Sequence, residues 1–218
     1  MSPILPAATV VLIRDAGPAP EVLMLRRSRD VSFAKGLWVF PGGKIDREDY
    51  RQDLADVEAA ARIGAVRETM EETALTIEVD NLLYFAHWTT PPSSPKRYAT
   101  WFFIAPYIDP RGEGETAAEP VVDGSEILEA RWYNPAEAVS DYRAGLLEMM
   151  PPTLATLNEL SGCDSVEQAL TLYREKLARL ALPRYALTDR GITLDYRHGD
   201  EGESRSQHVL AEPWRFEG

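Results

Sequence analysis

The sequence predicts a mixed α/β fold, and three observations carry that prediction. Short β-branched runs recur between clusters of Gly and Pro. One long segment, Val57–Thr73, is rich in Ala, Glu and Arg, the composition of a helix. Beyond Asn134 the chain reads as further helices and closes in a short apolar and polar alternation.

Taken in order, residues 7–14 (Ala-Ala-Thr-Val-Val-Leu-Ile-Arg) form a short β-branched run, expected as a strand buried on both faces. Gly17, Pro18 and Pro20 turn the chain into a second strand over 22–26. A third, over 37–40, stops at Pro41-Gly42-Gly43, where paired glycines permit backbone angles closed to other residues and a close approach to a ligand. Residues 46–56 are acidic and expected to be irregular or weakly helical, and Val57–Thr73 is the long helix. Residues 75–79 are a candidate strand. Residues 82–90 and 98–106, separated by Pro91-Pro92-Ser93-Ser94-Pro95, read as a hairpin or a neighbouring pair. The Gly-, Pro- and Glu-rich stretch 109–124 is expected to be a mobile loop before a strand over Ile127–Tyr133. Asn134 and Pro135 suit the N-cap and first position of a helix. Helices follow over 152–160 and 165–181, the latter with Ser165 and Gln168 spaced as a capping box. Residues 192–196 and 208–210 read as a small terminal hairpin, and no internal repeat is present.

The 218 residues suit one domain with an extension, placed at 1–160 and 161–218. The net charge of −12 argues against binding a nucleic-acid polymer, whose phosphates are neutralised by Lys and Arg. It leaves room for a small anionic substrate in a cleft whose local charges or metals reverse the field. The single cysteine, Cys163, excludes an intramolecular disulfide and fits a reducing compartment. The N-terminus carries no basic n-region ahead of its apolar run, and no apolar stretch approaches the roughly 20 residues that span a bilayer. A cytoplasmic protein without a membrane partner is expected.

The chemistry concentrates in two pieces, Phe40-Pro41-Gly42-Gly43 and Arg67-Glu68-Thr69-Met70-Glu71-Glu72-Thr73. On a helix Glu68 and Glu72 lie about 40° apart, with Glu71 about 60° to the other side, so the three carboxylates share one face. Like charges at these spacings destabilise a helix by roughly 0.2–0.5 kcal/mol per pair, which a folding argument would not choose. A hard divalent cation would, since Mg²⁺ or Mn²⁺ takes carboxylate oxygens and keeps waters and substrate phosphates. Taken alone, an acidic solvated helix face is the plainer reading.

The two pieces together resemble the Nudix box: Gly, five residues, Glu, seven residues, then Arg-Glu, an apolar residue, any residue, Glu-Glu, any residue and Gly. Gly43, Arg67, Glu68, Glu71 and Glu72 match it. Asp49 stands for the first Glu, about ten extra residues separate it from Arg67, Thr69 stands for the apolar residue and Ala74 for the final Gly. The stretched loop resembles the Nudix-19-type (RP2-like) branch. Upstream, Arg27, Ser28, Gly36 and Phe-Pro-Gly-Gly match the register of a coenzyme A diphosphatase motif, with Leu25 for its Thr and Ser32 for its second Arg. The resemblance covers about residues 7–160.

The resemblance implies an α/β/α sandwich with a mixed sheet, to which the reading above adds a helical and hairpin C-terminal extension. It also implies hydrolysis of a nucleoside diphosphate linked to another group, with Mg²⁺ or Mn²⁺ held by Glu68, Glu71, Glu72 and the Gly42 carbonyl. Arg67 would orient a glutamate by an ion pair. Glu126, just ahead of the strand that leads to Asn134, resembles a later metal-ligand or general-base glutamate, with Glu113, Glu115 and Glu119 as competitors. Arg27, Lys35 (in place of the missing Arg), Gly43, Arg97 and Tyr98 would meet substrate, and Trp88 or Tyr98 would stack on a base. Coenzyme A or an acyl-CoA is the first substrate implied. A nucleotide-sugar or dinucleotide diphosphatase and a Nudix-fold regulatory module that has lost catalysis are the alternatives. His87, His198 and His208 show no ligand spacing and are expected to be structural. Residues 161–218 would pack on the domain, cap the cleft or form a homodimer contact.

Overall fold

A computed structural model describes residues 3–50, 55–90, 94–109, 118–122, 124–180, 184–188, 191–197 and 204–210. Its described strands are β1 (Ile4–Asp15), β2 (Pro20–Arg27), β3 (Trp38–Val39), β4 (Gly42–Lys44), β5 (Leu83–Thr89), β6 (Arg97–Pro106), β7 (Ile127–Tyr133), β8 (Arg184–Thr188), β9 (Gly191–Arg197) and β10 (Ser204–Leu210). The helices are α1 (Val57–Thr73), α2 (Pro135–Arg143), α3 (Pro151–Leu160) and α4 (Val166–Leu180), with 3₁₀ turns over Arg47–Tyr50 and Val79–Asn81.

The strands form one open mixed sheet in the order β10-β9-β8-β5-β6-β1-β2-β3, with β4 on β1 and β7 on β2. β1 pairs in parallel with β6 from Ile4 to Ile13, and β5 pairs antiparallel with β6. Within β1 the apolar run alternates between two layers. Val11 and Ile13 enter the core under α2, α3 and α4, while Ala8, Val10 and Leu12 enter the core under α1. This is why Val10 to Ile13 shows no apolar and polar alternation: a strand covered on both faces has no solvent side. The α/β/α sandwich with a mixed sheet follows.

The face that α1 presents to the sheet is small: Ala60, Ala61, Gly64, Ala65, Thr69 and Thr73 are its buried residues. Thr69 fits where an apolar residue is expected because its hydroxyl donates to the Ala65 carbonyl (2.7 Å), satisfying itself within the helix. Asp56 caps the N-terminus by accepting from the Ala59 N–H (2.9 Å). Asn134 caps α2 in the same way. α4 is anchored from both directions: Asp15, at the end of β1, accepts from the Val166 N–H (2.9 Å), and Tyr173 stacks on Phe85 at 4.2 Å. Parallel pairing of β8 with β5, and β9 against β8 and β10, extends the sheet beyond α4. β8 is an element the sequence reading did not find, whereas β9 and β10 form the expected hairpin.

β1 and β2 pair only over Ile13–Asp15 and Pro20–Val22. Beyond that, their facing edges take different partners: β3 lies on β2 at Leu25 and Arg26, and β4 lies on β1 at Ala7 to Thr9. The chain from Trp38 to Lys44 therefore crosses the split in the sheet, held there by the Val10 N–H to the Pro41 carbonyl (3.0 Å).

Two expectations are corrected. Residues 75–79 are not a strand; Leu75 and Ile77 bury their side chains under α1's side of the sheet without joining it. Their one-sided alternation records burial, not pairing. The Gly42-Gly43 pair is not a bare turn but the start of β4. Residues 110–117 and 123 of the expected loop lie outside the described residues. Among the described residues no helix is long and apolar enough to cross a membrane.

α1 ends at Ala74, which takes left-handed angles (φ 59°) and donates its N–H to the Met70 carbonyl. A Cβ in that conformation costs roughly 1–2 kcal/mol. Ala74→Gly is therefore expected to raise stability by about 1 kcal/mol, or roughly 2–4 °C in Tm for a chain of this size. Calorimetry in EDTA measures it, and an unchanged or lower midpoint would show the cap to be unstrained.

Candidate active site

A cleft of about 680 Å³ opens at the split between β1 and β2. Three of its carboxylates, Glu68, Glu71 and Glu72, come from α1, on one face of the sheet, and Asp46 and Glu126 join them from outside that helix. Much of its apolar wall comes from the other face, where Trp88 and Phe102 belong to the core under α2 to α4. The split is what lets the two faces meet.

Glu68 and Glu72 sit at the margin of α1's buried face, and their side chains are 18% and 11% exposed; Glu71 lies further round at 58%. All three line the cleft. The glycines set how close the helix carboxylates come. A Cβ on Gly43 would run into the Glu68 carboxylate. Gly42 has φ 151°, a Cβ there would meet the Ala8 carbonyl and Thr9, and its N–H donates to Glu72 Oε2 (3.0 Å).

Burial pushes the Glu68 carboxyl up from its ordinary value, against the pull of the Arg67 hydrogen bond. Burial pushes Glu72 up to about 8; the Gly42 N–H and Arg27 oppose the rise, and the charges of Glu68 and Glu126 add to it. The cleft thus holds more negative charge than its own cations balance.

Arg67 is the hub of the ion pairs. It donates to Asp49 through Nε (3.1 Å) and Nη2 (2.9 Å), to Glu68 (2.9 Å), to Glu71 (3.1 Å) and to the Lys44 carbonyl (3.0 Å). The hydrogen bond to Asp49 leads the effects that raise the guanidinium's pKa. Asp49 is 2% exposed, also accepts from the Asp46 N–H (2.8 Å), and packs on Gly64, where a Cβ would lie 3.0 Å from its Oδ2. A buried pair of this kind is weak evidence for stability, but losing one partner costs about 3–5 kcal/mol.

Arg27 ends β2 and faces Glu72 (3.7 Å) and Glu126 (3.6 Å); Glu126 is 69% exposed at the cleft. Tyr98 lines the cleft and meets Phe33 edge-on at 5.0 Å. Gly42, Gly43, Arg67 and Trp88 also line it, as does Ser32, the residue in place of the motif's second arginine.

The structure does not bring every candidate together. Lys35, proposed in place of the missing arginine, is exposed and off the cleft wall. Arg97 is likewise off the wall; its guanidinium donates to the Thr90 carbonyl (3.3 and 3.4 Å), closing the turn between β5 and β6. Glu119 pairs with Arg14 (3.9 Å) away from the cleft, and Glu113 and Glu115 lie outside the described residues. His87 meets the Tyr84 hydroxyl (3.3 Å) and stands edge-on to Trp101 (4.5 Å). His198 and the His208 side chain lie outside the described residues. Burial pushes the Cys163 thiol up, toward its unreactive protonated form.

Val31, Phe33, Met150, Pro152 and Thr153 also line the cleft and were not singled out in the sequence. They come from the loop after β2 and the start of α3, where no local pattern marks a ligand contact.

Among the described residues no three His, Cys, Asp or Glu side chains already converge as a metal cage. Arg67 draws Glu68 and Glu71 aside, and Arg27 faces Glu72. Mg²⁺ rarely needs such a cage, since it binds through one or two carboxylates, waters and substrate phosphates. An excess of desolvated carboxylate around glycine backbone fits a hard cation.

The NUDIX domain family profile matches residues 3–153. The chain is 29% identical over 178 residues to the Caenorhabditis elegans protein that carries the name nudix hydrolase 7, covering 65% of this chain and 56% of that protein. It is 23% identical to the acyl-coenzyme A diphosphatase NUDT19 of Xenopus laevis, covering 64% of this chain and 59% of that protein. The chain thus spans less than two thirds of the length of either curated relative. A NUDIX hydrolase from Alicyclobacillus acidocaldarius superposes with a TM-score of 0.68 at 25% identity, covering 78% of this chain and 97% of that one.

The two glycines make separable predictions. Gly42→Ala drives a Cβ into backbone and forces a left-handed residue, so it should destabilise by about 2 kcal/mol or more. Gly43→Ala meets only the movable end of Glu68 and should cost less than about 1 kcal/mol while weakening Mn²⁺ binding. Urea unfolding in EDTA and Mn²⁺ titration distinguish them; equal unfolding midpoints would refute the contrast.

Glu72 also sets a pH dependence. Its folded value lies above its unfolded value of 4.5, so the folded state holds the proton more tightly. The contribution to stability is full below about pH 4.5 and is lost as pH rises through about 8. Unfolding midpoints in EDTA should fall across that window, and Glu72→Gln should flatten the fall; a Gln variant with the parent slope would disprove it.

Proposed function

The chain belongs to the NUDIX domain family, and on that premise we propose that it hydrolyses the diphosphate linkage of a nucleoside-diphosphate derivative with Mg²⁺ or Mn²⁺, coenzyme A or an acyl-CoA being the first substrate. The observation that carries this reading is one cleft in which half-buried Glu68 and Glu72, the Gly42-Gly43 strand, Arg27 and exposed Glu126 meet. A metal would be held by Glu68, Glu71, Glu72 and the Gly42 carbonyl, and would supply charge neutralisation on the phosphate oxygens and an activated water.

The remaining chemistry falls to the chain's own groups. Arg67 fixes Glu68 and Glu71 through its fork and is itself fixed by Asp49, so it acts as a positioning residue away from substrate. Arg27 has a buried Nε without an acceptor, and its ion pairs of 3.6 and 3.7 Å are too long for hydrogen bonds, so its donors remain available to a phosphate oxygen. A Glu126 carboxylate oxygen takes the proton from the attacking water. The Glu126 side chain is 69% exposed, within reach of solvent water, and a general base contributes ~10²–10⁴-fold. One water is consumed: its oxygen joins one phosphorus as the bridging P–O bond breaks. With coenzyme A the products are 4′-phosphopantetheine and adenosine 3′,5′-bisphosphate.

Two further observations favour coenzyme A. One curated relative is named as an acyl-CoA diphosphatase, in keeping with the Nudix-19-type resemblance. The wall formed by Val31, Phe33, Trp88, Phe102, Met150 and Pro152 suits an uncharged arm such as pantetheine or its acyl chain.

A panel of coenzyme A, acetyl-CoA, ADP-ribose, a nucleotide sugar and a dinucleotide, read by product chromatography with Mg²⁺ or Mn²⁺, tests the reading. The coenzyme A compounds should be cleaved fastest, and faster cleavage of ADP-ribose would displace that substrate. Glu72→Gln should lower kcat by about two orders of magnitude or more while the protein stays folded. Undiminished turnover in that variant would remove α1 from the metal site.

A further inference from the structure

Arg27 is aimed by its backbone with unusual completeness. Its N–H donates to the Leu37 carbonyl (3.0 Å), and the next N–H, of Ser28, donates to the Glu126 carbonyl (2.8 Å). The pairing of β2 with β7 shifts register between Arg26 and Arg27, so that Arg27 lies opposite Ile127. Such an irregularity re-aims a side chain at a sheet's end. Here it brings Arg27 and Glu126 to the same corner. The guanidinium then bridges two unlike carboxylates, half-buried Glu72, which accepts from the Gly42 N–H, and exposed Glu126, whose carbonyl accepts from the Ser28 N–H. The Arg27 side chain is 16% exposed, and its Nε is buried without an acceptor. A desolvated guanidinium does not give up a donor for a strong pairing; Arg27 stands in a charge environment built for more than it receives.

We propose that Arg27 is a built-in counter-ion for Glu72 and Glu126, which it surrenders when a divalent cation binds, leaving its fork to the diphosphate. This rests on the hydrolase reading above and adds an exchange to it. In the metal-free protein Arg27 neutralises part of the carboxylate excess and keeps Glu126 beside the site. With the cation bound, the two positive charges would repel across the shared carboxylates. Arg27 then gains more from the phosphate oxygens, which match its planar donors. Metal and diphosphate would therefore each strengthen the other's binding, the reciprocity required of coupled sites. No bond forms or breaks in the exchange.

Mn²⁺ binding, read from the free-ion EPR signal without substrate, tests it on the full chain. Removing a cation close to the ligand carboxylates should tighten Mn²⁺ binding at least tenfold in Arg27→Met and Arg27→Gln. Arg27→Lys retains the charge and should stay within about threefold of the parent. The unfolding midpoint in EDTA should fall in the Met and Gln variants, and Mn²⁺ should raise it by more than it does in the parent. A second measurement needs no charge-removing variant: the Nε–H resonance of Arg27 in the parent protein, assigned by its absence in Arg27→Lys, should shift when Mg²⁺ is added. Parent-like or weaker Mn²⁺ affinity in both neutral variants, a Lys variant as tight as Met, or an unmoved Nε–H resonance would each overturn the exchange. A parent protein that takes up no Mn²⁺ at millimolar concentration would instead overturn the metal-dependent hydrolase reading beneath it.

Discussion

The site depends on the burial of two glutamates against a glycine strand. Glu68 and Glu72 are held out of water where a Cβ on either Gly42 or Gly43 would collide with the chain or with the carboxylate itself. That contact constrains the helix first. α1 reaches the sheet through Ala60, Ala61, Gly64 and Ala65, a face too small to hold it at the usual distance. It constrains the charges next. Desolvated carboxylates must be protonated, paired or metal-bound, and the protein supplies Arg67 on one flank and Arg27 on the other. A bulkier helix face or strand would relieve the crowding and dissolve the site with it.

Asp49 shows how such a site tolerates a long insertion. Some ten residues more than the short box separate it from Arg67, yet its carboxylate still meets the guanidinium through two hydrogen bonds. Nothing in that contact depends on sequence spacing. It depends on the 3₁₀ turn Arg47–Tyr50, the Asp46 N–H and the gap left by Gly64. Lengthening a surface loop adds closure entropy only logarithmically, about 0.6 kcal/mol per doubling. A buried fork-to-carboxylate pair at its base outweighs that. Arg67 in turn reaches Glu68 and Glu71, so the extended loop reaches the carboxylate helix through one guanidinium.

Much of this was legible from residues alone, for identifiable reasons. The helix over Val57–Thr73 is readable from its Ala, Glu and Arg composition, and the structure closes it with Asp56 at one end and left-handed Ala74 at the other. The clustering of three acids followed from helical period. What failed was whatever depends on partners distant in sequence. Whether Gly42-Gly43 is turn or strand is decided by β1, more than thirty residues away. Leu75 and Ile77 alternate as a strand does, but no neighbouring strand is there to pair with. β8 is defined by pairing with β5. Lys35 and Arg97 are cations near the motif, and sequence proximity does not say which way a side chain points. Arg97 turns to the Thr90 carbonyl, and Lys35 lies off the wall.

The absence of Lys35 and Arg97 from the wall bears on what distinguishes one diphosphate from another. Among the described residues the cations that face the cleft are Arg27, Lys44 and Arg67, and Arg67 is committed to Asp49 and Glu68. Ser32 leaves a gap where the resembling motif carries a second arginine. On the proposed reading, charge recognition would concentrate on the linkage that every candidate substrate shares, and could not by itself select among them. Selection would then pass to the other face of the sheet, where Trp88 and Phe102 lie beneath α2 to α4 and Phe33 meets Tyr98. A wall of that chemistry discriminates by apolar area and shape, and burial of apolar surface is worth roughly 25 cal/mol per Å². The split between β1 and β2 thus joins a general reaction centre from one layer to a selective surface from the other.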